Sequence, residues 1–390
     1  MRKFAWWTVV LLTVVMVLGF AFVPGYVDSK YNRVGVGDTR AVSAMAQALH
    51  DSLFVADLHA DELLWARDPL RISTRGHTDV PRLIEGNVAL QVFSVVTKTP
   101  RGINFDQNTG ETDNITLLAV AQRWPIAAWS SLSARALHQA ARLRDAESRS
   151  SGQLTIVRTR DDLARFISRR AARHDLVAGL LAIEGLHALD GKLGNVDTLF
   201  AAGFRMMGLM HFFDNEVGSS AHGVSHGGLT PFGREVIARM ESLGIIVDLA
   251  HASPRTIAEA LAVSTRPVVV SHTGVAATCA GPRNLTDAQL RAIAAKGGLI
   301  GIGYFEGAVC GLGAPAIVRA ILHAVRIAGI AHVALGSDFD GAVTVPWDTR
   351  GVPRITEELL RAGMSRENIR AVMGGNARAF LLQNLPASRQ

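Results

Sequence analysis

Cysteine is nearly absent from these 390 residues: Cys279 and Cys310 are the two, too few for a disulfide scaffold or a Cys-rich zinc fold. Lysine is almost as scarce. Five lysines (3, 30, 98, 192 and 296) stand against 35 scattered arginines. The formal charge of +6 therefore lacks the clustered basic stripe that nucleic-acid binding requires, and no nucleic-acid partner is expected. Charged residues make up 19% and hydrophobic residues 48%, which excludes a disordered or collagen-like chain. No G-x-G-x-x-G follows the first strand-like run, which argues against a dinucleotide-binding sheet. Internal repeats and low-complexity tracts are also missing. What stands out instead is histidine, thirteen in all, with several at the ends of apolar runs.

Residues 4–23 carry no charge and follow Arg2 and Lys3. Twenty helical residues span about 30 Å, the thickness of a bilayer's hydrocarbon core. The segment is longer than an ordinary signal-peptide core, so an uncleaved membrane anchor is expected. Gly19 and Ala21 leave a cleaved signal open, and a buried core helix is the remaining alternative. The basic flank stays inside, which exports everything after Pro24. The body is then anchored to the inner membrane on its periplasmic or extracellular side, or secreted if the signal is removed. Three segments are expected: residues 1–25 as anchor or signal, 26–50 as linker with a lead-in helix, and 51–385 as the catalytic body.

From about residue 50, short Val/Ile/Leu-rich runs alternate with longer helical stretches, as in a parallel sheet covered by helices. The runs are Leu53–His59, Val88–Val96, Leu176–Glu184, Phe204–His211, Ile245–His251, Pro267–His272, Gly298–Tyr304 and Val333–Asp338. Helices are expected over Pro231–Leu243, Pro254–Ala262, Thr286–Lys296 and Ala314–Ala328, with Thr230-Pro231 and Ser253-Pro254 as entry signals. Eight such units predict an α/β fold, a closed (β/α)8 TIM barrel. An open doubly wound sheet is the alternative. Residues 97–152 form a long insertion, expected to be helical.

Six of the eight runs end in His, Asp or Glu: His59 with Asp61, Glu184, His211, His251, His272 and Asp338. One such residue is ordinarily a packing or capping group. In a barrel, however, all six ends open on one face, where active sites are built. In Asp57-Leu-His-Ala-Asp61, alternation puts residues 59 and 61 on one face of the strand, within reach of one ion. Imidazole with carboxylate suits zinc better than manganese or iron. Glu184 can bridge two ions, His251 and His272 can complete the second, and a bridging hydroxide would be the nucleophile. Asp340 and Asp248 are read as capping or supporting groups. His222 and His226, in the Gly/Ser-rich stretch 218–228, are read as loop residues rather than ligands.

The ordered motifs resemble the membrane dipeptidase (renal dipeptidase-like) family of zinc metallopeptidases, within the amidohydrolase-type barrels. They are Asp57-Leu-His-Ala-Asp61, Ile183-Glu-Gly185, Met210-His211, Gly228-Leu-Thr-Pro-Phe-Gly-Arg234, Val247-Asp-Leu-Ala-His251, Ser271-His272, Pro282-Arg-Asn-Leu-Thr-Asp287, Gly336-Ser-Asp-Phe-Asp-Gly341 and Met373-Gly-Gly-Asn376. The resemblance covers about residues 53–380. It implies two Zn2+ ions, one held by His59 and Asp61 and one by His251 and His272, with Glu184 bridging. It also implies substrate contacts from His211 and Arg283 and proton transfer by Asp338. Small dipeptides are the implied substrates, and a homodimer is an expectation because dimers are common among relatives. Two stretches depart from the family, Thr273-Gly-Val275 and Thr278-Cys-Ala-Gly281, and both bear on specificity.

In the implied mechanism His211 stabilises the developing oxyanion, Asp338 shuttles the proton, and the planar fork of Arg283 binds the dipeptide's C-terminal carboxylate. Two other functions remain open on sequence. One is a related amidohydrolase acting on N-acyl amino acids, lactones or phosphoesters; the other is a metal-free, membrane-anchored binding protein. Finally, Cys279 and Cys310 fall just after the sixth and seventh runs, on neighbouring loops of a barrel rim. A bridge between them is expected in an exported protein, with two buried free thiols as the alternative.

Overall fold

The computed structural model describes residues 2–35 and 40–388. Eight parallel strands close into a barrel: β1 (Val55–Ala60), β2 (Val88–Val96), β3 (Val177–Glu184), β4 (Phe204–Gly208), β5 (Ile246–Asp248), β6 (Val269–Thr273), β7 (Leu299–Ile302) and β8 (Val333–Leu335). Each pairs with the next, β8 returns to β1, and β2 pairs directly with β3 across the long insertion. All eight expected runs are strands, and the fold is the closed (β/α)8 barrel rather than an open sheet. Each strand is buried on both faces, which is why it reads as a continuous apolar run.

Alternation divides the core. Ala56, Leu58, Leu90, Val92, Ala178, Leu180, Ala182, Met206, Ile246, Val269, Leu299 and Ala334 form one cluster with the C-terminal helix residues Phe380 and Leu381. Their neighbours Val55, Phe93, Val95, Val177, Leu181, Ile183, Met207, Val247, Val270, Ile300 and Leu335 pack in the other, with the surrounding helices. The entry signals act as caps: the Thr230 side chain accepts from Gly233 N–H, and the Ser253 side chain from Thr256 N–H. Helices run Pro231–Leu243, Pro254–Val263, Asp287–Ala295 and Ala314–Ala328. The insertion after β2 contributes Ile115–Ala121, Ala127–Ser130 and Leu132–Arg149.

The N-terminal helix runs Arg2–Tyr31, straight through Pro24, where the sequence suggests a boundary. Beyond Pro24 it is held by the barrel: Asp28 pairs with Arg67 at 3.2 Å, and Arg33–Val34 pairs with Thr344–Val345. Those contacts offset the hydrogen bond that proline cannot donate. The lead-in helix is Ala44–Asp51. Among the described residues no helix is long and apolar enough to cross a membrane; within the expected segment, the side chains of residues 9, 12 and 15–18 lie outside the description.

Candidate metal centre and substrate pocket

All eight residues singled out by sequence are buried at the C-terminal end of the barrel. Their routes there differ. Glu184 follows 178, 180 and 182 on the inward face of β3 and needs only strand alternation. His59 and His272 turn inward at irregularities, because the register shifts between Asp57 and Ala60 and between Val270 and Thr273. His211, His251 and Asp338 lie three residues past the ends of β4, β5 and β8. The expected runs were too long at these points. His251 and Asp338 adopt left-handed backbone conformations, with φ of 61° and 63°, and Asp340 repeats this at 63°. These turns let the chain leave the strand while staying at the barrel mouth.

Two carboxylates support the strand ends from beneath. Asp57 accepts from His59 N–H at 3.2 Å and Ser337 N–H at 2.9 Å, tying β1 to β8. Asp248 accepts from Ala250 N–H at 3.0 Å and Ser271 N–H at 2.9 Å, tying β5 to β6. Asp340 accepts from His77 N–H at 2.7 Å and pairs with Arg67 at 2.8 Å.

The donor atoms converge on Glu184. Its Oε1 lies 2.9 Å from His251 Nε2, 3.3 Å from His272 Nε2 and 3.8 Å from His59 Nε2. Its Oε2 lies 3.1 Å from His211 Nε2. His59 Nε2 is 3.4 Å from Asp61 Oδ1 and 3.9 Å from Asp338 Oδ1. Ligands at about 2.1 Å around a tetrahedral ion stand about 3.4 Å apart, so these separations suit a shared cation. Three overlapping sets could hold one: His59 with Glu184 and His272; Glu184 with His211 and His251; and His59 with Asp61 and Asp338. His59 Nε2, Asp61 Oδ1 and Glu184 Oε1 are buried without a hydrogen-bond partner among the described residues. Such a set is costly to bury unless a cation completes it.

The electrostatics agree. Burial alone would lower the His59 imidazole, but Asp61, Glu184 and Asp338 lift it to about 10. Burial pushes the Asp338 carboxyl well above the usual range, with Asp61 and Glu184 adding to it against His59 and Arg283. Burial opposes the Glu184 charge too, yet His211, His251 and His59 hold that carboxyl well below its ordinary value. Three carboxylates share this space with Arg283, and together they attract positive charge.

Arg283 comes from the loop after β6. It donates to His272 O at 3.0 Å, lies 5.2 Å from the Phe305 ring, and keeps a buried Nε with no hydrogen-bond partner among the described residues. Asn284 fixes the loop by accepting from Gly274 N–H at 3.0 Å and donating to Cys279 O at 2.8 Å. Cys279 and Cys310 are joined in a disulfide, Cα atoms 5.3 Å apart, which ties this loop to the one after β7.

Sequence reasoning passed over the opposite wall. His222 is fully buried; its Nδ1 donates to Phe105 O at 2.7 Å, and its ring stacks on Phe212 at 4.7 Å and lies 5.6 Å from that of His251. Burial and Arg283 lower this imidazole to about 4. Its spacing from Phe212 and the aromatic character of Phe105 were the available signals. His226 is exposed.

The profile of the membrane dipeptidase family (peptidase family M19) matches residues 43–383. The chain therefore belongs to that family, and it is a metallo-dipeptidase. It is 33% identical over 242 residues to an uncharacterised protein in the pqqA 5′ region of Klebsiella pneumoniae, covering 58% of this chain and 87% of that protein. It is 29% identical over 322 residues to an uncharacterised dipeptidase of Schizosaccharomyces pombe, covering 77% and 70%. Among solved structures, a metallopeptidase from Rhodobacter sphaeroides, liganded with a phosphinate mimic of the dipeptide L-Ala-D-Ala, superposes with a TM-score of 0.69 at 23% identity, covering 85% of this chain and 99% of that one.

Proposed function

We propose that this dipeptidase works with two zinc ions, one held by His59, Asp61 and Glu184 and the other by Glu184, His251 and His272. The observation that carries the reading is the single Glu184 carboxylate, whose Oε1 lies within 3.8 Å of three histidine Nε2 atoms, which suits it to bridge. When bound, such a pair of ions polarises the peptide carbonyl and supplies a hydroxide nucleophile near neutral pH.

The chain's own residues do the rest. Asp338, 3.9 Å from His59, receives the proton of the attacking water and returns it to the leaving amine. His211 is oriented by Lys98 O at 3.3 Å and places Nε2 beside Glu184, where it stabilises the developing oxyanion. Arg283, a buried cation with a spare N–H, binds the substrate's C-terminal carboxylate. Its hydrogen bond to His272 O sets it beside the cluster, which suits a substrate with one residue beyond the cleaved bond. The relative that binds an L-Ala-D-Ala mimic supports dipeptides as substrates.

The protein is exported, with residues 4–23 as its membrane anchor; the support is the uncharged run behind Arg2 and Lys3. Elemental analysis of purified protein alongside turnover of a dipeptide panel tests the reading. Two zinc per chain and hydrolysis of free dipeptides are expected; full activity of metal-stripped protein overturns it.

A further inference from the structure

The partners of the N-terminal helix lie on the catalytic rim. Asp28 is buried between Arg67 at 3.2 Å and Arg75 at 3.5 Å, both in the loop after β1. Asn32 donates to Asp28 at 2.8 Å and accepts from Ala342 N–H at 3.0 Å, in the loop after β8. Arg33 N–H bonds Val343 O at 3.2 Å, and Gly35 N–H bonds Val345 O at 2.8 Å. Val27 packs against the cluster that includes Leu64, Trp65, Leu118 and Trp124, so the insertion after β2 joins the same contact. Loops after β1, β2 and β8 all leave the barrel at the end that carries His59, Glu184 and Asp338.

The uncharged half of the same helix carries exposed apolar side chains. Phe4, Trp6, Trp7, Leu11, Val14, Phe22 and Val23 all face outward. Where it reaches the rim, Arg123 sits 5.7 Å from the Phe20 ring. The insertion helices that pack on Val27 with their inner faces leave Leu117, Ile126 and Trp129 exposed, Ile126 at 76%. Exposed apolar side chains of residues 4–23 and of residues 115–130 therefore flank the Phe20–Arg123 contact at the rim.

We propose that this surface lies on the bilayer, so that the helix holds the catalytic mouth toward the membrane, with Ile115–Ser130 as a second lipid contact. The inference rests on reading residues 4–23 as the anchor. Twenty helical residues use up about 30 Å, the whole hydrocarbon core. The membrane surface then falls near Val23, level with the Phe20–Arg123 contact. Tyr26 and Trp129 occupy the interfacial depth that aromatic side chains favour, and Arg123 meets anionic headgroups. The ion-paired dock at Asp28 makes the orientation a property of the fold, because no free linker separates anchor from rim.

Full-length protein in phosphatidylcholine–phosphatidylglycerol vesicles gives the test. The native cysteines are paired, so Ile126→Cys and, separately, Ala172→Cys each offer one labelling site. Ala172 is exposed in the turn before β3, at the opposite end of the barrel. A headgroup-attached nitroxide should quench the label from Ile126→Cys several-fold more than that from Ala172→Cys, and Trp129→Cys should behave like the former. Equal quenching, or stronger quenching from Ala172→Cys, in protein that floats with the vesicles overturns the orientation alone. Protein that does not float overturns the anchor and the orientation together.

Discussion

Two clusters of buried charge lie side by side at the ends of β1 and β8, and they are built on opposite terms. In one, Arg67 bridges Asp28 at 3.2 Å and Asp340 at 2.8 Å, and Asp340 also takes N–H bonds from His77 and Thr78. Burial raises the Asp340 carboxyl, yet Arg67 and His77 hold it below its usual value. In the other, Asp61, Glu184 and Asp338 face imidazoles and the single guanidinium of Arg283, and His59 Nε2, Asp61 Oδ1 and Glu184 Oε1 lack hydrogen-bond partners among the described residues. In the first cluster Asp28 and Asp340 each face a guanidinium, and the pairs hold loops together. The second is complete only with something added. Two buried charge clusters on one rim thus differ in whether their carboxylates face guanidinium groups or imidazoles that a cation can replace as partners.

Removing Glu184 should have the largest effect. Glu184→Ala takes the bridging carboxylate from both ligand sets, so zinc content and turnover should both be lost, as read by elemental analysis and peptide hydrolysis; retained zinc would dissolve the contrast. Next comes Arg67→Ala in the first cluster, which strands the buried Asp340 carboxylate and leaves Asp28 with Arg75 alone, and should cost about 3–5 kcal/mol. Denaturant unfolding reads that loss, while the folded fraction should keep its zinc. Asp338→Asn should leave the metals bound but lower kcat by about 100-fold, the scale of general acid–base catalysis. A near-normal kcat would remove Asp338 from the chemistry. The smallest effect is expected for Arg283→Ala, where a lost charged hydrogen bond should lower kcat/KM on free dipeptides by about 10- to 100-fold. Dipeptides amidated at the C-terminus should be poor substrates of the native enzyme and insensitive to this change; equal cleavage of both forms would reassign the residue.

Much of this was legible in the sequence, for identifiable reasons. Parallel strands buried on both faces read as unbroken apolar runs, so all eight appeared, with Glu184 at the end of one. The ends were less legible. His211 and His251 extend their apolar runs in sequence, but the strands stop at Gly208 and Asp248, because a left-handed turn at residue 251 and a loop at residue 211 carry the side chains the remaining distance. Asp248 reads as a supporting group, but what it and Asp57 support was illegible, since the cross-strand donors are backbone groups of Ser271 on β6 and Ser337 just past β8. The helix through Pro24 was hidden for a similar reason: Arg67 and Ala342, which hold it, are remote in sequence.

The left-handed turns at His251, Asp338 and Asp340 carry an evolutionary consequence. An L-residue pays about 1–2 kcal/mol for that conformation, whereas glycine adopts it freely. Drift toward glycine at residue 251 or 338 would relax the backbone at the moment it deleted an imidazole or a carboxyl from the mouth of the barrel. Selection for heat resistance alone would thus erode the enzyme at its reactive positions first, and their present occupants mark sites where turnover has outweighed backbone comfort.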